Sequence, residues 1–293
     1  MKLENIARRF RIDKPHKFKL ADHDPADCCG LTIDKDEART MLAEGISRLS
    51  ALQEKLYASD TWSVLIVLQA MDAAGKDGVI KHVMTGLNPQ GVDVHAFKQP
   101  SAEELSHDFL WRVTERLPPR GRIGIFNRSY YEEVLIVRVH PHWLEEERLP
   151  KKLVDDNIWQ HRFHDIRAFE QRLADNGTVI LKFFLNISKD EQRRRFLARI
   201  DEPAKRWKFS MSDVIERNRW DDYMRAFTDL VRETSRPEAR WYVVPSDQKW
   251  FARLVVAAAL VEALEGLKLK FPRVEGKALD ELEKARKALK SEK

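Results

Sequence analysis

The sequence has little sulfur to build with. Its 293 residues include two cysteines, Cys28 and Cys29, side by side. Adjacent cysteines cannot close a loop of any size, so a disulfide scaffold is excluded, and no Cys/His spacing suits zinc. Both absences favour a reducing cytoplasm. Long apolar runs are missing too. The longest aliphatic stretch, Leu254–Val261, falls far short of the ~20 residues that cross a bilayer. The opening MKLENIARRFRIDKPHKF has no apolar core of a secretory leader, so no membrane association is expected. No Pro/Gly/Ser-rich linker divides the chain and no internal repeat appears, so residues 1–293 are expected to form a single domain.

What is present is a charged, globular composition. Hydrophobic residues make up 43% and charged residues 34%, enough apolar content for a substantial core. The net charge of +5 favours an anionic partner without naming it. Nucleic acid, nucleotide, polyphosphate and a membrane surface all remain open on charge alone.

The apolar pattern alternates between strand and helix periods. Ser63–Leu68, Val92–Phe97, Arg122–Phe126, Thr178–Asn186 and Trp241–Pro245 read as strands. Helices are predicted over Asp34–Tyr57, from the loop after the first strand to Thr85, from a Ser101–Glu104 capping box to Leu117, and over Tyr131–Val137 and Lys151–Asn176. Further helices are predicted over Lys189–Ile200, Ser212–Ser235 and Trp250–Leu269. Residues 1–33 read as an extended arm. Residues 275–293 read as a charged helix with pairs such as Glu283–Lys287. Three strands are apolar throughout, as in a parallel sheet covered on both faces. The expected fold is a three-layer α/β sandwich with a five-stranded parallel sheet, whose ligands bind beyond the strand carboxyl ends.

Three stretches at those ends carry chemistry. The first is Val64–Gly78, VLIVLQAMDAAGKDG: a strand, a turn of small residues, a lysine and a helix. That is the layout of a phosphate-binding loop, in which backbone amides and the helix start meet phosphate oxygens and Lys76 adds a full charge. The match to G-x-x-x-x-G-K-[ST] is imperfect. Ala70 stands for the first glycine and Asp77 for the hydroxyl residue, and Asp72 would repel phosphate unless a cation lies between. The plainer alternative is a strand-to-helix turn relieved by Gly75, with an incidental lysine. The second stretch is Asn127-Arg128-Ser129-Tyr130-Tyr131-Glu132, at the end of an apolar strand. Such a strand normally ends in a carboxylate that helps hold Mg²⁺; Asn127 is a weaker ligand, and Arg128 could brace a phosphoryl group. A strand-end turn with an Asn cap is the alternative there.

The third stretch is Ser188–Ser210, with eight basic residues (Lys189, Arg193, Arg194, Arg195, Arg199, Lys205, Arg206, Lys208) against Asp190, Glu191, Asp201 and Glu202. Arg195 and Arg199 share a helix face, and helical phase favours Arg195 over Arg194 as the inward residue. A basic, Pro-broken segment after a strand suits the lid of a small-molecule kinase, over residues 188–215. A solvated basic helix is the alternative. His161, Arg162, His164 and Arg167 could line an anion channel or lie on plain surface. Lys98 follows the second strand toward the same sheet edge. Trp220, Trp241, Tyr242 and Trp250 read as core or interface, and Cys28-Cys29 as structural.

Taken together, the chain resembles the polyphosphate kinase 2 family over about residues 15–270. Asp72-Ala73-Ala74-Gly75-Lys76-Asp77-Gly78 is similar to the family's modified Walker A motif, and Asn127 to Glu132 to its modified Walker B motif. Arg195-Phe196, Lys205–Ser210 and Trp220-Asp221-Asp222-Tyr223 resemble its lid and post-lid signatures. Trp241–Pro245 with Lys249-Trp250 resembles its late strand and helix start. The resemblance implies a P-loop kinase-like sandwich with a helical lid, much like thymidylate kinases. It implies reversible phosphoryl transfer between inorganic polyphosphate and nucleotides with Mg²⁺ or Mn²⁺. Similarity to the family's class III implies that AMP and ADP both serve as acceptors. Asp72, Lys76 and Arg128 are the implied catalytic residues, and Asp72 with Asn127 the implied metal ligands. Asn127 stands where many members carry Asp. Ala73, Ala74, Gly75, Asp77, Gly78, Asn127 and Glu132 would hold the phosphates or nucleotide. Arg194, Arg195, Arg199, Lys205, Arg206 and Lys208 would wall the polyphosphate. A dimer or tetramer is implied, with no nucleic acid and no membrane. The readings weighed against it are an NTP-dependent nucleotide kinase of thymidylate kinase type and a basic polyanion-binding protein with a degenerate P-loop. No recognised nucleic-acid motif supports the last.

Overall fold

A computed structural model describes residues 3–31 and 35–292. The first two residues and the end (32–33) of the expected arm, the expected helix start Asp34, and Lys293 lie outside the described residues. In chain order the regular elements are α1 (Leu3–Phe10), α2 (Lys35–Ser59), β1 (Ser63–Ala70), α3 (Lys76–Val83), β2 (Val92–Ala96), α4 (Trp111–Thr114), β3 (Ile123–Asn127), α5 (Ile136–Val139) and α6 (Trp143–Glu146). They continue with α7 (Ile158–Asp175), β4 (Thr178–Asn186), α8 (Lys189–Asp201), α9 (Met211–Glu216), α10 (Trp220–Thr234), β5 (Trp241–Pro245), α11 (Lys249–Gly266) and α12 (Lys277–Ser291).

All five strands join one parallel sheet in the order β2-β3-β1-β4-β5. The fold is the expected three-layer α/β sandwich. Residues 63–69 of β1 are buried without alternation, because helices cover both faces of a central parallel strand. The register pairs Leu68 with Asn127 and Ala70 with Leu185. The carboxyl ends of β3, β1 and β4 therefore stand side by side, and the sheet rather than any loop sets that alignment.

Several predicted elements end differently. The arm is not extended: Ile6, Ala7 and Phe10 recur at helical spacing and are buried, with Phe10 edge-on to Phe251 of α11 at 5.6 Å. Ile12 then donates to the Trp241 carbonyl at 2.8 Å and ties the segment to β5. The Ser101–Glu104 capping box forms in both directions, yet no helix runs to Leu117. The Asp108 carboxylate accepts from the Leu110 amide and starts a new turn, so a 3₁₀ turn (Glu104–Ser106) and short α4 replace one helix. Asp155 does the same at the Asn157 amide, which delays α7 to Ile158. The helix predicted over Ser212–Ser235 is broken at Arg217–Arg219, where Arg217 turns to the Lys189 carbonyl.

Lys182 interrupts the apolar run of β4 and is wholly buried. Its ammonium pairs with Glu170 of α7 at 2.7 Å and donates to the Tyr131 hydroxyl and the Thr234 carbonyl. Tyr130 and Tyr131 both donate to the other Glu170 oxygen. Burial pushes both phenols well above their ordinary range and Lys182 down, with Glu170 opposing the latter. Each polar atom of the cluster has a partner, the condition under which buried charge is tolerated. Lys182→Met strands the Glu170 carboxylate and is expected to cost about 3–5 kcal/mol. Adding Glu170→Gln should restore part of it. Urea unfolding of both variants checks this, and a loss under about 1 kcal/mol in the single variant would refute it.

Candidate active site

β1 runs into Met71–Gly75, and α3 starts at Lys76. Two residues of this turn take left-handed backbone angles, Ala73 at φ 63° and Gly75 at φ 115°. Alternating hands let successive amides point into one concavity, which suits an anion. Alanine there is strained, by roughly 1–2 kcal/mol, so something outside the loop must hold it. α8 does. Gln192 donates to the Asp72 carbonyl at 3.0 Å, and Arg195 to the Ala73 and Ala74 carbonyls at 2.9 and 2.7 Å. Lys76 folds back on the Ala70 carbonyl at 3.0 Å. Burial lowers its ammonium pKa, and Arg128 lowers it further.

β3 delivers the second stretch beside the loop. Arg128 is also left-handed, at φ 65°, and its amide donates to the Leu68 carbonyl of β1. Its guanidinium donates to Asp72 at 3.0 Å and Glu132 at 3.4 Å. Glu132 foremost, with Asp72, raises its pKa against the opposing effect of burial. Asn127 donates its amide to Asp77 at 2.9 Å, which leaves its oxygen end for a cation. A cleft of about 690 Å³ opens between these residues and the lid, lined by the loop from Asp72 to Gly78, Asn127 and Arg128.

The lid residues divide. Arg199, Lys205 and Lys208 line the cleft, with Lys208 at 3.9 Å from Asp77 and Arg199 paired to Asp213 at 3.2 Å. Arg194 does not reach the cleft: its side chain is 75% exposed and pairs with Glu191. Arg206 is turned back onto the Ile200 carbonyl. Arg195 is inward, as helical phase favours, but its contacts are not those expected. Its remaining donors go to Glu191, Ser246 and Asp247, so all five N–H groups already have protein acceptors. It braces the loop and has no donor left to wall a polyphosphate.

Other lining residues lie outside the three stretches. Lys98, expected toward this sheet edge, lines the cleft, as do Lys249 and Arg253, one turn apart at the start of α11, of which Arg253 escaped the sequence reading. Burial, then neighbouring cations, lowers the pKa of both Lys249 and Arg253. Nothing in the local sequence marks Arg253; a basic residue one turn into an apolar helix was the only signal. Asp213 is another. Burial and the Asp72 charge raise its pKa, while Arg199 and Arg128 oppose. Glu216 accepts from Tyr223 at 2.8 Å and contacts His140 at 2.9 Å beside it.

Arg162 is no channel residue: it is buried over the Phe109 ring at 4.3 Å and paired with Glu147. Trp220, Trp241 and Tyr242 are in the core, and Trp250 packs against it. Both cysteines are free, with thiols raised by burial.

Among the described residues, no three His, Cys, Asp or Glu side chains cluster to hold a metal by themselves. The residues present still fit Mg²⁺. That ion is usually held by one or two carboxylates plus substrate phosphates and water, and Asp72 with the Asn127 oxygen is such a set.

A family description, polyphosphate kinase 2, matches residues 32–272. The chain belongs to that family. It is 53% identical over 266 residues to a Rhodopseudomonas palustris protein named ADP-polyphosphate phosphotransferase, covering 90% of this chain and 92% of that one. It is 47% identical over 268 residues to a Meiothermus ruber protein named AMP/ADP-polyphosphate phosphotransferase, covering 92% and 96%. The crystal structure of polyphosphate kinase 2 from Arthrobacter aurescens matches with a TM-score of 0.88 at 42% identity, covering 96% of each chain. The cleft described is the one built on the loop after β1. A larger cavity of about 940 Å³, between residues 19–25 and α10, has no such loop. No helix among the described residues is long and apolar enough to cross a membrane.

Next to Glu132, Glu133 packs on Glu147 and Arg162, with one buried carboxylate oxygen unpartnered. Burial pushes its carboxyl up to about 8, Glu147 adds to the rise, and Arg162 opposes it. A folded pKa above the unfolded value makes the proton stabilising. That contribution is complete below about pH 4.3 and is lost as pH rises through the folded value. Glu133→Gln is therefore expected to gain melting temperature on the wild type steadily from pH 5 to 8.5. Parallel curves across that range would contradict the shift.

Proposed function

We propose that this polyphosphate kinase 2 moves the terminal phosphoryl group of inorganic polyphosphate onto nucleoside mono- and diphosphates, AMP through ADP to ATP, reversibly. The observation that carries this reading is the Asp72–Arg128 pair, which joins the phosphate loop to the end of β3 in a cleft where Lys76, Arg199, Lys205, Lys208, Lys249 and Arg253 outnumber Asp72 and Asp77. The names borne by the R. palustris and M. ruber relatives support polyphosphate as donor and both nucleotides as acceptors.

In the forward direction a terminal phosphate oxygen of the nucleotide attacks the end phosphorus of polyphosphate. The bond to the next bridging oxygen breaks, and the shortened chain leaves with that electron pair. A phosphate's second pKa is about 6, so the attacking oxygen is already ionised at neutral pH and no strong base is needed. Asp72, with Asn127 as its weaker partner, would hold a divalent cation, Mg²⁺ or Mn²⁺, which when bound would neutralise charge on the phosphate oxygens. Lys76 and Arg128 stabilise the equatorial oxygens, a role worth on the order of 10³–10⁵ in rate for an arginine in such reactions. Glu132 holds Arg128 in place. The loop from Ala73 through Gly78 supplies amides, and Arg199, Lys205 and Lys208 wall the chain. We place the enzyme in the cytoplasm as a single-domain homo-oligomer, a dimer or tetramer.

Purified protein given polyphosphate, AMP and Mg²⁺ without ATP is expected to make ADP and then ATP. An NTP-dependent nucleotide kinase would make neither. Asp72→Asn should lower kcat about a hundredfold or more, the scale of one lost preorganised electrostatic contact, without unfolding the protein. Near-full activity in that variant removes Asp72 from the mechanism.

A further inference from the structure

Three consecutive carbonyls of the phosphate loop, those of Asp72, Ala73 and Ala74, are taken by side chains of one helix. We propose that α8 is the template of that loop: Gln192 and Arg195 are positioning residues that set its backbone, and they do so in concert with the segment that follows the lid. The inference rests on the phosphotransfer reading of the cleft.

The geometry follows from the peptide bond. In a planar trans peptide the C=O and the next N–H point in opposite directions. Pinning the carbonyls of residues 72–74 onto α8 therefore turns the amides of residues 73–75 away from it. Of these, the Ala74 amide makes a long turn bond to Met71 at 3.3 Å. Ala73 could not hold its left-handed angle without such pinning, and Gly75, at φ 115°, needs no help. The guanidinium is also a bridge. Its second nitrogen takes the Ser246 and Asp247 carbonyls, 2.6 and 3.0 Å away, at the β5 end. One planar fork thus ties the loop after β1 to the loop after β5, with Glu191 fixing its Nε at 2.6 Å.

Gln192 extends the hold. Its amide nitrogen holds the Asp72 carbonyl, and its oxygen accepts from Arg217 at 2.9 Å. Arg217 also donates to the Lys189 carbonyl at 2.6 Å. It sits in the 3₁₀ turn after α9, the helix whose Asp213 pairs with the lid's Arg199. The backbone next to Asp72 is thereby linked, through one neutral amide, to the turn that follows the lid segment. A neutral glutamine has no charge to offer phosphate, so an effect of its removal on turnover cannot come from lost phosphate attraction.

The experiment compares Gln192→Leu and Arg195→Lys with the wild type, and adds Arg195→Gln for the salt slope alone. Three readouts are used: kcat, the dependence of the polyphosphate KM on salt, and hydrogen exchange of the residue 71–78 amides without substrate. Both variants are expected to lose about tenfold or more in kcat and to exchange faster in the loop. The slope of log KM against log salt should stay that of the wild type, since no phosphate contact has been removed. Gln192→Leu is expected to melt within a few degrees of the wild type and serves alone if Arg195→Lys does not fold. Wild-type kcat and loop exchange in Gln192→Leu would overturn the proposal. So would a shallower salt slope in Arg195→Gln, which marks Arg195 as a phosphate contact. If the wild type does not turn over polyphosphate, the phosphotransfer reading fails by itself, and the exchange data still decide whether α8 sets the loop.

Discussion

Asp72 and Arg128 hold each other at 3.0 Å across the ends of two neighbouring strands, and most of the site is arranged around that pair. An acid in an anion site is costly unless a cation sits against it. Here the cation comes from the adjacent strand, at a distance fixed by the β1–β3 register. Both ends of the contact need unusual backbone. Ala73, beside the acid, and Arg128 itself are left-handed, and neither is glycine. Strain of that kind survives only where the surroundings over-determine it. α8 does so for the loop, and the Arg128 amide bond to Leu68 does so for the strand end.

The turn after Arg128 has a rigid backing. Tyr130 and Tyr131 follow it directly, and their hydroxyls end on Glu170, which Lys182 neutralises from the centre of the sheet. This buried network has no access to substrate. Its position behind Ser129–Glu132 means that the orientation of Arg128 is inherited from the core rather than from the cleft. Glu132, one residue past the tyrosines, then touches Arg128 from the other side.

Much of this was legible in the sequence, for identifiable reasons. The three mainly apolar strands were readable because a strand covered on both faces shows little polar alternation, Lys182 of β4 being the exception. The phosphate loop and Asn127-Arg128 were readable because both lie at strand carboxyl ends. What failed depended on partners remote in sequence or on short competing turns. Asp108 and Asp155 stopped helices by capping amides two residues on, a choice that periodicity cannot see. Arg195 has the expected inward phase, but its five acceptors come from three separate segments, which periodicity cannot show. Arg253 could not be found at all, since only the fold brings α11 to the loop.

The densest positive charge along the chain is also the most heavily paired. The Ser188–Ser210 stretch is the densest basic run, yet much of its charge is already answered. Arg194 and Arg195 share Glu191, Arg199 has Asp213, Lys205 has Glu202, and Lys208 leans on Asp77. Lys249 and Arg253 make no ion pair among the described residues; burial lowers both pKa values, and neighbouring cations, Arg195 foremost, lower them further. A cluster of cations that repel one another inside a cleft is unfavourable until an anion enters, whereas a paired cation must first give up its acid. Positive charge without an acid partner in the cleft is therefore concentrated at α11 and the loop, where the sequence has few charges. The lid, where it has many, holds most of its cations in pairs with the protein's own acids.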